Sequence, residues 1–241
     1  MYVFIIDFQK KGFLILFFKI VASNQNLTTA TEKSVVLYML NNEKKLINDL
    51  FKNYQVKFGR PVNNMTESVV VYFELFLIQL IDLDERNQVL ITNVQTQYRW
   101  KDNGLKWNKD TYGGIDDIRL PVNRIWTPDI VLYNYADTRL EEKRDVMAIV
   151  SSDGTVRWRP PSIFKSTCQI NIQNFPYDYQ NCSMKFGSWT YDRDSIDIQF
   201  LEKQEINREL YIQSNEWDII SADGKRNEKK YECCKEVYPD M

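Results

Sequence analysis

The hydrophobic pattern of the chain changes its period once, near residue 68. Between Glu43 and Tyr54 the apolar side chains recur at i, i+1, i+4, i+5 and i+8, so they form one stripe of a helix. Asn41 or Asn42 can cap its start, and Gly59-Arg60-Pro61 stops any continuation. The polar stretch from residue 24 to residue 36 is predicted to be loose. We therefore predict one packing helix at the end of the domain.

Beyond Ser68 the period becomes two, which is typical of extended chain. The segments from Ser68 to Ile81 and from Val89 to Trp100 both alternate, and an Asp- and Asn-rich turn separates them. Two long strands joined by a short turn pair antiparallel. The sequence therefore predicts a long hairpin at the start of a sheet.

The remaining chain favours short strands with frequent breaks. Ser152-Asp153-Gly154-Thr155 is a strong hairpin signal, and helix signals beyond Tyr54 are confined to one short turn at Ile115 to Ile118. The further predicted strands are 130–135, 146–151, 155–159, 168–172, 182–188, 196–201, 217–222 and 228–233. We predict a mainly β fold, an antiparallel, immunoglobulin-like β-sandwich with one N-terminal α-helix.

Composition argues against catalysis. The 241 residues include no histidine, which excludes Ser-His-Asp and Cys-His mechanisms and removes the commonest zinc ligand. Asp116 and Asp117 are adjacent carboxylates that point apart in extended chain, so they are not expected to act as an acid-base pair. Acidic and basic residues are interspersed, with a net charge of −2. We therefore predict no enzymatic activity, metal, cofactor or nucleic-acid partner.

The N-terminal segment and the sequons indicate the secretory pathway. Residues 1–23 carry positive charge followed by an apolar run of about 10 residues, whereas a membrane span needs about 20. We predict a signal peptide over 1–23 and one domain over 24–241. Acceptor sequons begin at Asn26, Asn64 and Asn181, which favours an oxidising compartment and glycosylation.

The four cysteines fall into two pairs of different character. Cys168 and Cys182 enclose thirteen residues around Phe175-Pro176-Tyr177-Asp178. A disulfide between them would remove roughly 3 kcal/mol of unfolded-chain entropy, and Pro176 stands in a setting that suits a cis bond. Cys233 and Cys234 are adjacent. They form a strained small ring, remain free thiols, or pair elsewhere, and without histidine they are poor metal ligands.

Aromatic residues occur in three loop regions. Trp126-Thr-Pro-Asp precedes a predicted strand with Tyr133, Trp189 follows the cysteine loop, and Tyr231 and Tyr238 flank the adjacent cysteines. Each ring alone reads as core or rim of a sandwich. Gathered at one edge, they would hold an organic cation by cation–π attraction, about 0.5–1 kcal/mol per exposed contact and 2 or more when desolvated. Such a cage binds a ligand without making or breaking a bond.

Five motifs together carry a resemblance to a known family. They are the Asp84–Gln88 turn, Trp126-Thr-Pro-Asp, the run from Arg159 to Cys168, the cysteine loop, and the run from Gly224 to Cys234. The chain resembles the extracellular ligand-binding domain of nicotinic acetylcholine receptor α-type subunits, in the Cys-loop family of ligand-gated ion channels. Its Tyr-Glu-Cys-Cys-Lys-Glu run is most similar to homopentameric neuronal-type α subunits and their invertebrate relatives.

The resemblance implies a principal binding face for acetylcholine or a choline-like amine. That face would use Tyr133, Trp189, Tyr231 and Tyr238, with the Cys233–Cys234 pair at the tip of a capping loop. The disulfide Cys168–Cys182 would face the membrane-spanning domain and relay binding to the pore. The resemblance also implies a pentamer of receptor subunits at the extracellular face of a postsynaptic plasma membrane.

Two departures from the family pattern change these expectations. Gln95 stands where the family usually has a tryptophan for the neighbouring subunit's site, and Arg157 and Arg159 are basic where apolar or neutral residues are usual. We therefore expect a heteromeric receptor in which this chain supplies principal faces. The chain ends at Met241, before the family's last strand and four membrane helices, so membrane contact is expected only through segments outside it. The alternatives are a secreted acetylcholine-binding protein and, from another class, a secreted adhesion or sugar-binding sandwich.

Overall fold

The computed structural model describes residues 30–54, 57–137, 142–143, 145–173, 175, 177–201, 206–230 and 236–241, with side chains from Asn41 onward except at 142 and 143. The chain divides into two compact units, Met1–Tyr38 and Met39–Met241. The first is described only by the start of a helix. The predicted signal peptide and Asn26 lie outside the described residues. Within the described part of the chain, no helix combines the length and apolarity needed to cross a bilayer.

The predicted helix is present but begins earlier than expected. Helix α1 runs Ala30–Asn53, so the prediction of a loose segment is wrong from Ala30 onward. Asn42 lies inside the helix, with only 8% of its surface exposed, rather than at its start. No glycine or proline interrupts these residues, so nothing in the chain stops the helix. Leu46 and Leu50 on the predicted stripe are buried.

The predicted hairpin forms the centre of the larger sheet. Strand β1, Val69–Asp84, pairs antiparallel with β2, Val89–Lys101, and its other edge pairs parallel with β10, Ile196–Phe200. Side chains along β1 alternate between buried and partly buried up to Ile78, as the period of two requires. The long-hairpin prediction is confirmed.

Shorter strands complete two sheets. They are β3 Asp117–Leu120, β4 Ile130–Leu132, β5 Glu142–Lys143, β6 Ala148–Ser151, β7 Thr155–Trp158, β8 Pro161–Thr167, β9 Phe186–Ser188, β11 Asn227–Lys230 and β12 Val237–Asp240. The eight-stranded sheet has the order β10-β1-β2-β7-β6-β3, with β8 beside β2 and β5 beside β8. The four-stranded sheet has the order β11-β12-β9-β4. Single-turn 3-10 helices cover Asn103–Leu105, Lys109–Tyr112 and Val122–Arg124.

The two sheets enclose one main core, which confirms the β-sandwich. Phe186 of the smaller sheet meets Phe73 and Phe164 of the larger one, with ring centroids 5.0 and 5.4 Å apart. A smaller cluster contains Leu83, Leu90 and Cys168. The core therefore fixes the strands of the smaller sheet against a broad scaffold.

Several strand predictions are wrong. Residues 168–172 and 217–222 form no strand, and the turn predicted at Ile115 to Ile118 overlaps β3. Strands β3, β5, β8 and β12 were not predicted. The Pro160-Pro161 pair reads as a break, but Pro161 occupies the first position of β8, where a missing N–H is tolerated. Strand β8 continues the line of β7 along one edge of β2.

Candidate functional site

The adjacent carboxylates Asp116 and Asp117 have different partners. The Lys109 ammonium lies 2.7 Å from Asp116, and this hydrogen bond lowers the pKa of that carboxyl. Asp117 instead accepts hydrogen bonds from Ser151 Oγ at 2.6 Å and from Arg157 at 3.2 Å. Both carboxylates therefore have structural partners.

Two of the predicted cage residues meet at the end of the β4–β9 strand pair. Tyr133 follows β4, and Trp189 follows β9. Their ring centroids lie 6.0 Å apart at an interplanar angle of 65°. Tyr133 is partly buried, whereas 70% of the Trp189 surface is exposed. The pair therefore presents an indole ring to solvent, supported from the side by a phenol.

Gly187 allows this meeting. The Tyr133 hydroxyl donates to the Ser188 carbonyl at 2.5 Å, which requires the ring to lie across β9. A Cβ atom at residue 187 would lie only 2.5 Å from the Tyr133 hydroxyl oxygen and 2.6 Å from Cζ. Only glycine leaves room for the phenol in this position.

Asp129 holds the loop that carries Trp189. Its Oδ1 accepts from Ser188 Oγ at 2.5 Å, and its Oδ2 accepts from the Thr190 N–H at 2.8 Å and from Thr190 Oγ1 at 2.5 Å. The Trp189 N–H donates to the Asp129 carbonyl at 3.3 Å. An exposed ring is thus attached to a backbone fixed on both sides, which reduces the entropy lost when the ring binds a ligand.

An ion pair lies behind the aromatic pair. The Lys185 ammonium is 2.8 Å from Asp240 Oδ2 and 5.5 Å from the centroid of the Tyr133 ring. Asp240 is buried, and its other oxygen accepts from the Asn227 amide at 3.1 Å. Sequence analysis did not identify Lys185, Asp240, Gly187 or the role of Asp129. The one signal in the sequence that pointed to Asp129 was its place as the last residue of the Trp126-Thr-Pro-Asp motif.

Strand β12 brings Tyr238, another predicted cage residue, to the same sheet. Tyr238 lies in β12 opposite Lys229 of β11, and Asp240 of the same strand pairs with Gly187 of β9. Tyr238 is therefore on the strand next to the one that precedes Trp189. Tyr231, Cys233 and Cys234 lie outside the described residues.

Trp126, which sequence analysis grouped with the loop aromatics, belongs to the core. It is 4% exposed and packs edge-on against Trp100, with ring centroids 5.9 Å apart. Its motif contributes to the site only through Asp129.

The cysteine loop begins beside the turn that joins β1 and β2, where Cys168 belongs to the cluster with Leu83 and Leu90. Cys168 and Cys182 form a disulfide with a Cα–Cα distance of 4.9 Å, and Cys168 is buried. Between them Phe175, Tyr177 and Tyr179 are exposed. Asn174 and Pro176 lie outside the described residues, so the expected cis bond stays a prediction.

Comparison with known proteins identifies the family. Residues 43–241 match the family model described as the neurotransmitter-gated ion-channel ligand binding domain. This chain belongs to that family. Among similar proteins, the human neuronal acetylcholine receptor subunit alpha-2 is 47% identical over 199 residues, which cover 83% of this chain and 37% of that protein.

Further relatives agree with the human one. The alpha-3 subunit of Carassius auratus is 47% identical over 201 residues, covering 83% of this chain and 38% of its own length. The alpha-4 subunit of Gallus gallus is 46% identical over 199 residues, covering 83% and 32%. The ligand-binding domain described here thus spans well under half the length of these receptor subunits.

On the opposite sheet of this ligand-binding domain, the residues that depart from the family pattern are polar and accessible. Gln95 of β2 is partly buried between Phe76 and Pro161 on the neighbouring strands. Arg157 is hydrogen-bonded to Asp117, and Arg159 is exposed.

Asn64 and Asn181, the described sequon residues, are both exposed.

Proposed function

We propose that this domain binds acetylcholine or a related choline-type amine on an aromatic cage. The cage consists of Tyr133, Trp189, Tyr231 and Tyr238, covered by a loop with a Cys233–Cys234 disulfide at its tip. The observation that carries the proposal is the exposed Trp189 ring, supported by Tyr133 and attached to a loop that Asp129 fixes. Family membership favours this function over a secreted amine-binding, adhesion or sugar-binding protein.

The local charges suit a cationic ligand. The Lys185 ammonium within 6 Å of the Tyr133 ring is an internal example of the attraction that an aromatic face offers a cation. Its charge is balanced by Asp240, so it repels an incoming ammonium group less than an unpaired lysine would. Binding of this kind needs no reacting group, and we propose no catalytic role for the chain.

Displacement of a fluorescent quaternary ammonium probe tests the cage. Acetylcholine should displace the probe from the 241-residue chain, and Trp189→Ala should weaken probe binding roughly tenfold, because the desolvated cation–π contact is worth about 1–2 kcal/mol. Tyr177→Ala is the matched control, since it removes another exposed aromatic ring, from the cysteine loop. Equal affinity of the Trp189→Ala and Tyr177→Ala proteins would contradict the proposal.

We further propose that the whole subunit acts in a pentameric acetylcholine-gated channel, at the extracellular face of the plasma membrane. Gln95 and the exposed, basic Arg159 make this chain a poor complementary partner for a cation, with a smaller contribution from Arg157 because Asp117 balances its charge, and this supports a heteromer. The full-length subunit should therefore give large acetylcholine currents only with a second subunit type. Large currents from that subunit expressed alone would contradict heteromeric assembly.

A position at the extracellular face of the membrane also implies processing of the chain in the secretory pathway. We propose cleavage of the signal peptide at residues 1–23, glycans on Asn26, Asn64 and Asn181, and a Cys168–Cys182 loop that transmits binding toward the membrane. A glycosidase should reduce the mass of secreted protein, and each Asn→Gln change should remove one step of that shift. A mass that no glycosidase alters would exclude the glycans.

A further inference from the structure

A groove on the larger sheet is separate from Tyr133 and Trp189 of the same chain, which follow strands of the smaller sheet. It encloses about 370 Å³ between the segment after α1, around Val62 and Glu67, and the ends of β1 and β2. Its walls include Arg99 and Lys101 of β2 together with Tyr72 of β1. The groove is of the size that small-molecule sites have, about 300–1,000 Å³.

Arg99 lies over an aromatic ring in this groove. Its guanidinium lies over the Tyr72 ring, with Cζ 4.9 Å from the ring centroid, and the residue is partly buried. The guanidinium carries five N–H donors in a planar fork. Among the described residues, none accepts a hydrogen bond from those N–H groups. A partly desolvated cation therefore lines a groove with its donors available.

The other partly buried arginines differ from Arg99. Arg157 bonds to Asp117 at 3.2 Å, and Arg226 bonds to Asp197 at 2.5 Å and to Glu228 at 2.7 Å. Both of these guanidiniums have carboxylate partners in the fold, and the partly buried Arg60 donates instead to the backbone carbonyls of Glu67, Ser195 and Met65. Among the described residues, Arg99 is thus the partly buried arginine whose N–H groups have no acceptor in the fold, and a carboxylate from outside the chain would match its planar fork.

The charged residues that line the groove indicate the charge of the anion that it would bind. Lys101 contributes a second positive charge, because its only described ion pair, with Asp153, is long at 3.6 Å and exposed. Glu67 contributes one negative charge. Arg99 and Lys101 minus Glu67 leave a lining charge of +1, which balances a monoanion and disfavours a dianion such as a phosphate monoester.

We propose that this groove binds the carboxylate of a small monocarboxylate solute, with Arg99 as its bidentate partner. The planar fork of a guanidinium matches the two oxygens of a carboxylate. Tyr72 fixes the fork in place, and Lys101 adds attraction. The site does not depend on cation binding at Trp189.

Saturation-transfer difference NMR with sodium butyrate tests the proposal on the 241-residue chain, at constant ionic strength set with sodium chloride. We expect saturable binding that Arg99→Gln weakens by at least about tenfold, because a charge-assisted bidentate pair is lost. Arg99→Lys keeps the charge but not the fork, so it should weaken binding to an intermediate degree. Glu67→Gln should strengthen binding about two- to fivefold by removing a nearby negative charge.

Arg119→Gln is the matched control. Arg119 of β3 pairs with Ile149 of β6, and Ile149 pairs with Arg157 of β7. Arg157 also pairs with Arg99 of β2. Arg119 and Arg99 are therefore on the same face of the sheet. Its removal changes the net charge equally outside the groove and should leave butyrate affinity unchanged within about twofold. Equal weakening by both variants, or no saturable signal, would overturn the proposal.

Two further measurements distinguish loss of this site from misfolding and from loss of the cage. Arg99→Gln should retain the wild-type unfolding midpoint within the small range of surface substitutions. Trp189→Ala should leave butyrate binding intact, and Arg99→Gln should leave binding of the quaternary ammonium probe intact. If Trp189→Ala abolished butyrate binding, the groove would not be an independent site.

Discussion

Two aromatic pairs in this domain have nearly the same geometry and opposite exposure. Trp100 and Trp126 meet at 5.9 Å and 77°, and Tyr133 and Trp189 meet at 6.0 Å and 65°. The first pair is buried, with 1% and 4% exposed surface, whereas Trp189 is 70% exposed. Similar edge-to-face contacts thus occur in a core and on a rim.

The comparison shows that ring geometry alone does not define a binding site. The faces of Trp100 and Trp126 are covered by other core side chains, so no ligand reaches them. Trp189 has an open face because it follows the last residue of β9, where the strand leaves the sheet. Each pair is also linked to one aspartate through hydrogen bonds. Asp102 accepts from Tyr54, whose hydroxyl accepts from the Trp126 N–H, and the Asp129 carbonyl accepts from the Trp189 N–H.

The largest difference is expected from removing one indole of each pair. Trp126→Ala should lower the free energy of unfolding by about 3–5 kcal/mol, because it leaves a core cavity. Trp189→Ala should change it by less than about 0.5 kcal/mol, because the side chain already faces solvent. Urea unfolding of both variants measures the difference. Similar losses of stability would mean that Trp189 is a packing residue.

Sequence patterns predict some of this architecture and miss the rest for physical reasons. The helix and the β1–β2 hairpin have periodic patterns long enough to read directly. Strand β8 owes its existence to pairing with β2 and β5, which its double proline conceals. Trp126 and Trp189 both stand beside strand ends in the sequence, so only the tertiary fold separates core from cage.

The anchoring residues of the cage are equally hidden. Lys185 and Asp240 lie far apart in the sequence and pair only because β12 adds to β9. Gly187 reads as an ordinary loop-adjacent glycine until the Tyr133 hydroxyl is placed against it. Local sequence therefore predicted the rings of the proposed cage, but not the residues that position Tyr133 and Trp189.

The next largest effect is expected from Asp129→Ala, which should affect the exposed pair and not the buried one. It leaves the Thr190 N–H and two hydroxyl groups without their acceptor, at a cost of about 1–3 kcal/mol. Because the Trp189 loop is then released, affinity for the ammonium probe should fall as well. Asp194→Ala is the control, since that carboxylate is exposed in the same segment. The test combines thermal unfolding with probe titration, and unchanged probe affinity in Asp129→Ala would exclude its positioning role.

Gly187→Ala should have a smaller effect that is again confined to the exposed pair. The added methyl group would collide with the Tyr133 phenol, at an expected cost of about 1–2 kcal/mol as the ring shifts. Gly59→Ala is the matched control, because a Cβ there meets no atom within 4 Å. Tryptophan fluorescence should report a changed environment for Trp189 in Gly187→Ala only. Identical spectra and stabilities for the two variants would show that the close approach at Tyr133 is not required.

The smallest expected effect is a pH slope at the buried pair. Tyr54 donates to Asp102 at 2.7 Å and accepts from the Trp126 N–H at 3.0 Å. Burial raises the pKa of Asp102 above its ordinary value of 3.8, although hydrogen bonds from Tyr54 and Gly104 oppose this. The folded state therefore holds the Asp102 proton more tightly than the unfolded state does, so this group's contribution to stability is greatest below pH 3.8 and is lost as the pH rises through the raised pKa.

Asp102→Asn removes that titration, so wild type should gain stability relative to the variant as the pH falls from 7 toward 4. Asp84→Asn provides the opposite sign, because hydrogen bonds from Asn87 lower the pKa of Asp84 and wild type should lose relative stability on acidification. Urea unfolding at several pH values measures both slopes. Parallel slopes for the two variants would mean that Asp102 is solvated like Asp84, and that the two aromatic pairs differ less in their surroundings than their exposure suggests.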